Sequence, residues 1–414
     1  KLFTTFHLNL SFSSIEEEDH DQIIKRCYWP LLSLCEIENI RIGIEISGKT
    51  IERIQELDKG WIKKLSALIQ TKQVELIGSG YVQIIGPLVP YEVNYWNHRL
   101  GLKTYKEYFS QVPTIALINE MVYSSGMVDL LEEFGYKGFI MDENNIKLSH
   151  KSTSSYFEKS PNYAIGLKKN SIPIIWSNSF IFQKLQHYVH GDISLETYLD
   201  FFDHFKPSQE NIIPFYTNDA ECFDFRPGRF NTESLIHKEG EWNRVKNLMV
   251  FLSKNRDITW STPSDVLTQL KKEEKIEANL VSSANPVPVK KQPKYNITRW
   301  AISGRNDIWL NTTCFSLYEV IKNTKRLNNE LSWKTLCNFW SSDLRTHITQ
   351  KRWVKVKKEI HDFADELNLN IGEQVFDYEE VNTENIDISQ NYHSKECSFL
   401  VDREKTILSI TTQY

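Results

Sequence analysis

Along the first two-thirds of the chain, short apolar runs alternate with amphipathic ones. Residues 2–10, 41–46, 74–78, 115–118, 137–142, 172–176 and 211–217 are dense in Ile, Val, Leu and Phe. Near-continuous apolar runs of this length are what strands buried on both faces look like. Helix-period patterns separate many of them, at 16–33, 51–57, 61–69, 91–109, 126–134 and 195–205, with another at 241–252. Strand and helix in alternation predict an α/β fold with a parallel sheet, closed or doubly wound, and seven strands with helical crossovers favour a closed, distorted barrel. Residues 257–260 read as an eighth short strand.

The pattern changes after residue 270. Residues 271–293 begin highly charged and pass into Val281-Ser282-Ser283-Ala284-Asn285-Pro286-Val287-Pro288-Val289, where alternating prolines predict an extended connector. Three helix-like segments follow, 314–326, 332–341 and 349–367, and then β-like runs at 374–378 and 395–412. The expected organisation is a barrel over 1–270, a linker over 271–293, a helical domain over 294–370 and a short β-rich C-terminal segment over 371–414. The chain ends in a strand pattern whose partner is not evident, so it reads as part of something longer. Lys1-Leu2-Phe3-Thr4 lacks the h-region of a signal peptide.

Composition narrows the partners. The chain has 414 residues, with 49 Lys and Arg against 54 Asp and Glu, a net charge of −5. That balance gives no footprint for nucleic acid or an anionic membrane, and no apolar run approaches the ~20 residues needed to span a bilayer. The 6 cysteines are scattered without a C-x-x-C pair, so a reducing, cytoplasmic setting is expected. A homo-oligomer is left open.

Two strand ends carry acids. Ile115-Ala116-Leu117-Ile118 runs straight into Asn119-Glu120, and a helix pattern follows. A carboxylate at the C-terminal end of a barrel strand sits where such barrels place their chemistry; the competing role for Glu120 is a charge favoured at a helix start. Phe215-Tyr216-Thr217-Asn218-Asp219-Ala220-Glu221 repeats the pattern with two acids. Strand-end acids on separate strands of one barrel point into one mouth, which is the raw material of glycoside cleavage. The competing role for Asp219 and Glu221 is an ion pair with Arg226 or Arg229.

The same residues resemble glycoside hydrolase family 57, with five motifs in order over about 1–300. Phe6-His7-Leu8-Asn9 resembles the first, usually His-Gln-Pro. Val74-Glu75-Leu76-Ile77-Gly78-Ser79-Gly80-Tyr81 is similar to the second, Ile118-Asn119-Glu120 to the third, Thr217-Asn218-Asp219-Ala220-Glu221 to the fourth and Thr262-Pro263-Ser264-Asp265 to the fifth. The resemblance implies a (β/α)7 barrel followed by a helical domain. It also implies retention at an α-linkage, with Glu120 as nucleophile and Asp219 as acid/base, on an oligo- or polysaccharide. The departures are Leu8-Asn9 in the first motif, Gln83-Ile84-Ile85 where Glu-Pro-Ile is common, and Phe223-Asp224-Phe225-Arg226 after the fourth.

Other residues are expected to line the site. His7 and Asn9, Tyr81 and Gln83 come from the first two motifs, and Glu221 from the fourth. Asp142 ends the fifth strand, where it either fixes a sugar hydroxyl or caps the next segment. Trp176 either stacks on a pyranose or packs the core. Arg226 and Arg229 are either solvated or placed to hold an anionic sugar. Trp300, Arg305, Trp340 and Asp343 lie in stretches rich in sugar-binding residue types, which either complete the pocket or form an interdomain network. No cofactor and no metal are expected. Family 38 α-mannosidases, whose barrel is related, hold zinc through His-x-Asp, and the amide of Asn9 is a poor zinc ligand. A deacetylase of related type would need Asp-Asp and His-x3-His, whereas His187 and His190 are three apart. A barrel that only binds glycans is the remaining alternative.

Overall fold

The computed structural model describes residues 1–145, 161–204, 212–227, 235–256, 258–282, 286–289, 297–345 and 347–372, together with three C-terminal strands. The chain divides into two compact units, Lys1–Gly372 and Glu373–Tyr414.

In the larger unit the seven expected strands form as β1 (Leu2–Leu8), β2 (Ile42–Ile46), β3 (Val74–Ile77), β4 (Ile115–Leu117), β5 (Gly138–Asp142), β7 (Ser171–Ser177) and β8 (Ile213–Asp219). Two short strands carried no legible pattern. These are β6 (Tyr163–Ile165), antiparallel to β7, and β10 (Glu277–Ala278), which pairs with β6. The eighth strand expected over 257–260 forms as β9 (Trp260–Ser261), beside the start of β1. Parallel pairing runs β8-β1-β2-β3 in one arc and β4-β5-β7 in the other. Gly78 joins the arcs through Gly78 N to Ile115 O at 2.9 Å and Leu117 N to Gly78 O at 2.8 Å. On the other side β7 lies alongside β8. This is the distorted (β/α)7 barrel.

Side chains alternate across a strand, so every second residue points inward. Phe3, Ile115, Ile140 and Ile175 fill the floor with Ile77, Val266 and Leu267. Above them Thr5, Gly43 and Thr217 stand in register, and above these Glu45, His7 and Asp219. The barrel is therefore apolar at one end and charged at the other.

The crossovers bury their apolar stripes on the outside of this ring. Gly48–Leu57 starts where Ser47 Oγ accepts the Thr50 N–H at 3.3 Å, an N-cap. Tyr91–Phe109 forms over the expected span. Ser179–His190, an element the sequence pattern did not reveal, is capped by Asn178, which accepts from Phe180 N at 3.0 Å. Thr262 and Asp265 form a reciprocal capping box with Pro263 at the first turn of Pro263–Leu270. Asp265 also takes Arg41 at 2.9 Å. Arg41 precedes β2, so this motif closes the floor, at the far end from the charged layer.

The helices Asp307–Lys322, Glu330–Phe339 and Gln350–Glu366 share an apolar core that Tyr91–Phe109 joins through Val93 and Leu100. Trp96 stacks on Trp333 with centroids 5.6 Å apart. Part of the proline-rich stretch also packs: Val289 is buried against Ile85, Val122 and Trp300, and Pro288 O accepts from Tyr123 N at 3.0 Å. In the smaller unit, Tyr392–His393, Cys397–Asp402 and Ile407–Thr412 form an antiparallel sheet, so the terminal strand pattern pairs within the chain.

The loop after β3 depends on two glycines. Gly80 holds φ +96°, and a Cβ on Gly101, in the helix opposite, would stand 2.5 Å from the Gly80 carbonyl carbon. Gly101→Ala should therefore cost roughly 1–3 kcal/mol, the range of core overpacking, in chemical denaturation. Gly126→Ala, whose Cβ would meet Leu167 no closer than 3.6 Å, should be close to neutral.

Candidate active site

The charged layer is set by strand register. His7 pairs with Glu45 on one side and Asp219 on the other, so the three side chains stand abreast on the inner face. Glu45 is wholly buried and its carboxylate contacts His7 Nδ1. With Nδ1–H donated there, the other ring nitrogen is left to accept. His7 Nε2 meets the Gln83 amide and lies 3.9 Å from Asp219 Oδ1. The Asp219 carboxylate keeps partial exposure at the mouth, 23 %.

Glu120 arrives on a different device. The 3₁₀ turn Asn119–Met121 follows β4, and Glu120 and Met121 hold φ of +51° and +55°. Left-handed backbone at two consecutive non-glycine residues costs on the order of 1–3 kcal/mol each and persists only where the surroundings enforce it. They do: Asn119 Nδ2 donates to Ser79 O at 3.1 Å, Asn145 Nδ2 to Met121 O at 2.6 Å, and Val122 N to Asn119 O at 3.1 Å. The sharp turn leaves Glu120 half-buried beside the loop from β3.

A polar chain links the barrel to the helical domain. Asn9 N donates to Glu221 Oε1 at 2.8 Å, and Asn9 Nδ2 to Asp343 Oδ1 at 2.8 Å. Asp343 Oδ2 accepts from Ser341 Oγ at 2.9 Å, and Ser342 N donates to Gln83 O at 2.7 Å. Burial pushes Asp343 up to about 6, with the charge of Glu120 adding to the rise. Burial, and then the charge of Asp219, pushes Glu221 up to about 7. The half-buried Lys49, just beyond β2, is held below its ordinary pKa by burial, an effect that Asp343 opposes. Glu120 and Asp219 thus act on one connected set of buried polar groups.

His7, Asn9, Gln83, Asp219, Glu221 and Asp343 come together in this arrangement, and the charge of Glu120 reaches it at Asp343. The expected residues do not all face the mouth. Glu221 is 2 % exposed and held by Asn9 and the Tyr28 hydroxyl, so it stands behind Asp219 rather than facing a substrate. Asp142 lies on the inner face, paired with Ser177, and accepts from Asn144 N at 2.8 Å, so it does cap the next turn. Trp176 pairs with Met141 on the outer face, one residue out of phase, and donates its indole N–H to Pro161 O at 2.7 Å. It packs rather than stacks on sugar. Tyr81 is 3 % exposed, bonds Glu52 at 2.8 Å and lies under Lys334.

The Arg226 guanidinium is taken by the wholly buried Glu241, which leaves it unsuited to hold an anionic sugar; Arg229 lies outside the described residues. Trp300 is buried against Val122 behind the Glu120 turn, and Trp340 is buried in the helical core. Arg305 donates to Ile348 O at 3.3 Å within the helical domain. Sequence reasoning missed Glu45 and Tyr28. An acid inside Ile42-Gly43-Ile44-Glu45-Ile46 was a visible signal, since a buried carboxylate needs a partner, but the partner depends on register.

A family model described as "Glycosyl hydrolase family 57" matches residues 2–279. The chain belongs to glycosyl hydrolase family 57. A curated relative, the alpha-amylase of Pyrococcus furiosus, is 27 % identical over 124 residues, 30 % of this chain and 19 % of that protein. The 4-alpha-glucanotransferase of Thermococcus litoralis superposes with a TM-score of 0.62 at 12 % identity, over 99 % of this chain and 64 % of that one. The alpha-amylase AmyC of Thermotoga maritima does so at 0.59 and 14 % identity, over 89 % and 92 %. These structural likenesses establish the family's fold. The chain spans about a fifth of the curated relative and less than two-thirds of the glucanotransferase. No helix among the described residues is long and apolar enough to cross a membrane.

If the positive φ at Glu120 is imposed by the fold, glycine should relieve it. Glu120→Gly should exceed Glu120→Ala in unfolding free energy by roughly 1 kcal/mol. Both variants lose the same carboxylate, so equal stability would show the backbone there to be unstrained.

Proposed function

We propose that the chain is a retaining α-glycoside-processing enzyme acting on α-linked glucose oligo- or polysaccharides. The observation that carries this is the strained Glu120 turn at the end of β4, whose charge acts on Asp343, the acid that Asn9 ties to the polar end where Asp219 stands beside His7. Strain held at a strand-end acid by three separate side-chain and backbone bonds is what positioning a reactive group requires. The family and the amylase and glucanotransferase names of its relatives support the substrate class. Free thiols at Cys27, Cys35, Cys314 and Cys337 are in keeping with a reducing, cytoplasmic setting.

In this reading the Glu120 carboxylate attacks the anomeric carbon as Asp219 gives its proton to the departing glycosidic oxygen. The C–O bond breaks and a glycosyl ester forms on Glu120. Asp219, now ionised, takes a proton from water or from a sugar hydroxyl, whose oxygen displaces Glu120 with a second inversion. Retention needs the two carboxyls about 5–5.5 Å apart. His7, oriented by Glu45, and Gln83 supply hydrogen bonds to hydroxyls of the bound ring. Asp343 carries an acid from the helical domain to the same mouth. Hydrolysis or transfer is decided by how well an acceptor sugar displaces water.

With maltoheptaose as probe, NMR should find the α-anomer first among new reducing ends. Asp219→Asn should lower kcat by about 10²–10⁴-fold, the usual worth of a general acid, and Glu120→Gln by at least as much. A β-anomeric first product, or wild-type rates in both variants, would end this reading.

A further inference from the structure

One cation of the helical domain is bonded to the backbone of the barrel rather than to an acid. Gln350–Glu366 starts at Thr349, whose Oγ1 accepts the Arg352 N–H at 3.2 Å, so Arg352 leaves the helix from its first turn. Its half-buried guanidinium donates to Ser11 O at 2.9 Å, to Ile15 O at 3.0 Å and to Phe12 O. The nearby Lys351 and Lys355 pair with Glu18 and Glu17, whereas Arg352 forms no ion pair among the described residues. Exposed ion pairs of that kind hold little and tolerate movement. A planar fork on three main-chain carbonyls fixes a path of backbone.

That path leads into the charged layer. Phe12 N closes a turn on Asn9 O at 3.2 Å, and Ser11 N donates to Asn9 Oδ1 at 3.0 Å. The second bond orients the Asn9 amide, whose Nδ2 meets Asp343 Oδ1 at 2.8 Å. Asn9 N–H goes to Glu221 Oε1 at 2.8 Å and Ser14 Oγ to Pro227 O at 2.7 Å, both in the segment that follows Asp219. His7, two residues before Asn9, has its Nε2 3.9 Å from Asp219 Oδ1. The turns over 9–15 are thus bonded to the helical domain at Arg352 and Asp343, and to the chain just beyond β8 at Glu221 and Pro227.

We propose that Arg352 is a positioning residue for the acid end of the barrel: by holding the turns over 9–15 it fixes Asn9, and through Asn9 the ends of β1 and β8 that carry His7 and Asp219. This rests on the reading of Asp219 as acid/base. Each polar atom of Asn9 is bonded, so a shift of the turn cannot be absorbed there without breaking a bond. Asn9 is 3 % exposed and Arg352 is turned to carbonyls, so their loss falls on the chemical step rather than on sugar binding. Misplacing a reacting group by about 1 Å can cost about 10²-fold in rate. Lysine is no substitute, since an ammonium lacks the planar fork.

Arg352→Lys keeps the charge and loses the fork. On maltoheptaose its kcat should fall by about 10–10²-fold with KM held. The His7 ring signals in proton–nitrogen NMR of the unliganded protein, identified by their loss in His7→Gln, should move as well. Arg352→Gln should do the same and serves if the lysine variant does not fold. In the Asn9→Ala background Arg352→Lys should cost little more, because the two act in series. A fastening role alone would lower the unfolding midpoint and leave kcat and the His7 signals in place. Wild-type kcat, unmoved His7 signals in either folded variant, or a full further loss on top of Asn9→Ala overturns the proposal. His7 signals that move in a protein without turnover of maltoheptaose would leave it standing and remove the glucan reading instead.

Discussion

Parallel pairing of β1 with β2 on one side and β8 on the other fixes what this molecule can do. Because side chains alternate strictly along a strand, the register that seats Phe3 on the barrel floor also turns His7, Glu45 and Asp219 inward at the opposite end. A slip of one residue would send all three outward and bring Phe6 and Ile44 in. The apolar floor is thus the reason the charged layer faces the mouth. The cost of burying Glu45 is offset by His7, whose imidazole is thereby held with one nitrogen directed at Gln83 and Asp219.

Glu120 is placed by a different physical route. β4 has only three residues, and the turn after it departs from the geometry that Glu and Met prefer. That departure survives because Asn119 and Asn145 hold the turn from two directions and Val122 is packed behind it by Trp300 and Val289. Trp300 and the proline-rich segment therefore stabilise a strained backbone rather than offering surface to a sugar. The loop after Asp219 is held in a comparable way: Asp224 and Arg226 have positive φ, and both are bonded to Glu241 at the start of a helix.

The sequence announced the strands, most of the crossovers and the two strand-end acids because those signals are local. Apolar runs, helix periodicity and an acid closing a strand can be read within about ten residues. What it concealed is pairwise. Trp176 was visible as a strand-end aromatic, but the face it occupies follows from its register with Met141. Arg226 looked free to meet an anion until Glu241, fifteen positions on, proved to hold it. Glu45 stood in plain view within an apolar strand, yet its role depends on His7, thirty-eight positions away. The helix Ser179–His190 escaped because its Asn178 cap and weakly segregated aromatics gave little contrast with the strand before it.

The helical part is bonded to the polar end of the barrel because the barrel alone leaves polar groups there without partners. Asn9 is buried; the barrel satisfies its backbone N–H through Glu221 but not its side-chain amide, which finds Asp343. Separating the two parts would leave the Asn9 amide without its acceptor and Asp343, an acid of raised pKa, without that donor, each worth about 1–3 kcal/mol when unpaired. Polar groups of this kind are costly in a core, but they specify one relative arrangement, because a shifted interface cannot satisfy them. The seating of Ser342 N on Gln83 O and of Asp343 on Asn9 therefore couples two geometries: the pose of the helical domain, and the positions of the groups around His7 and Asp219. On this argument, the polar chain gives the mouth its shape, and the apolar core of the helices gives it strength.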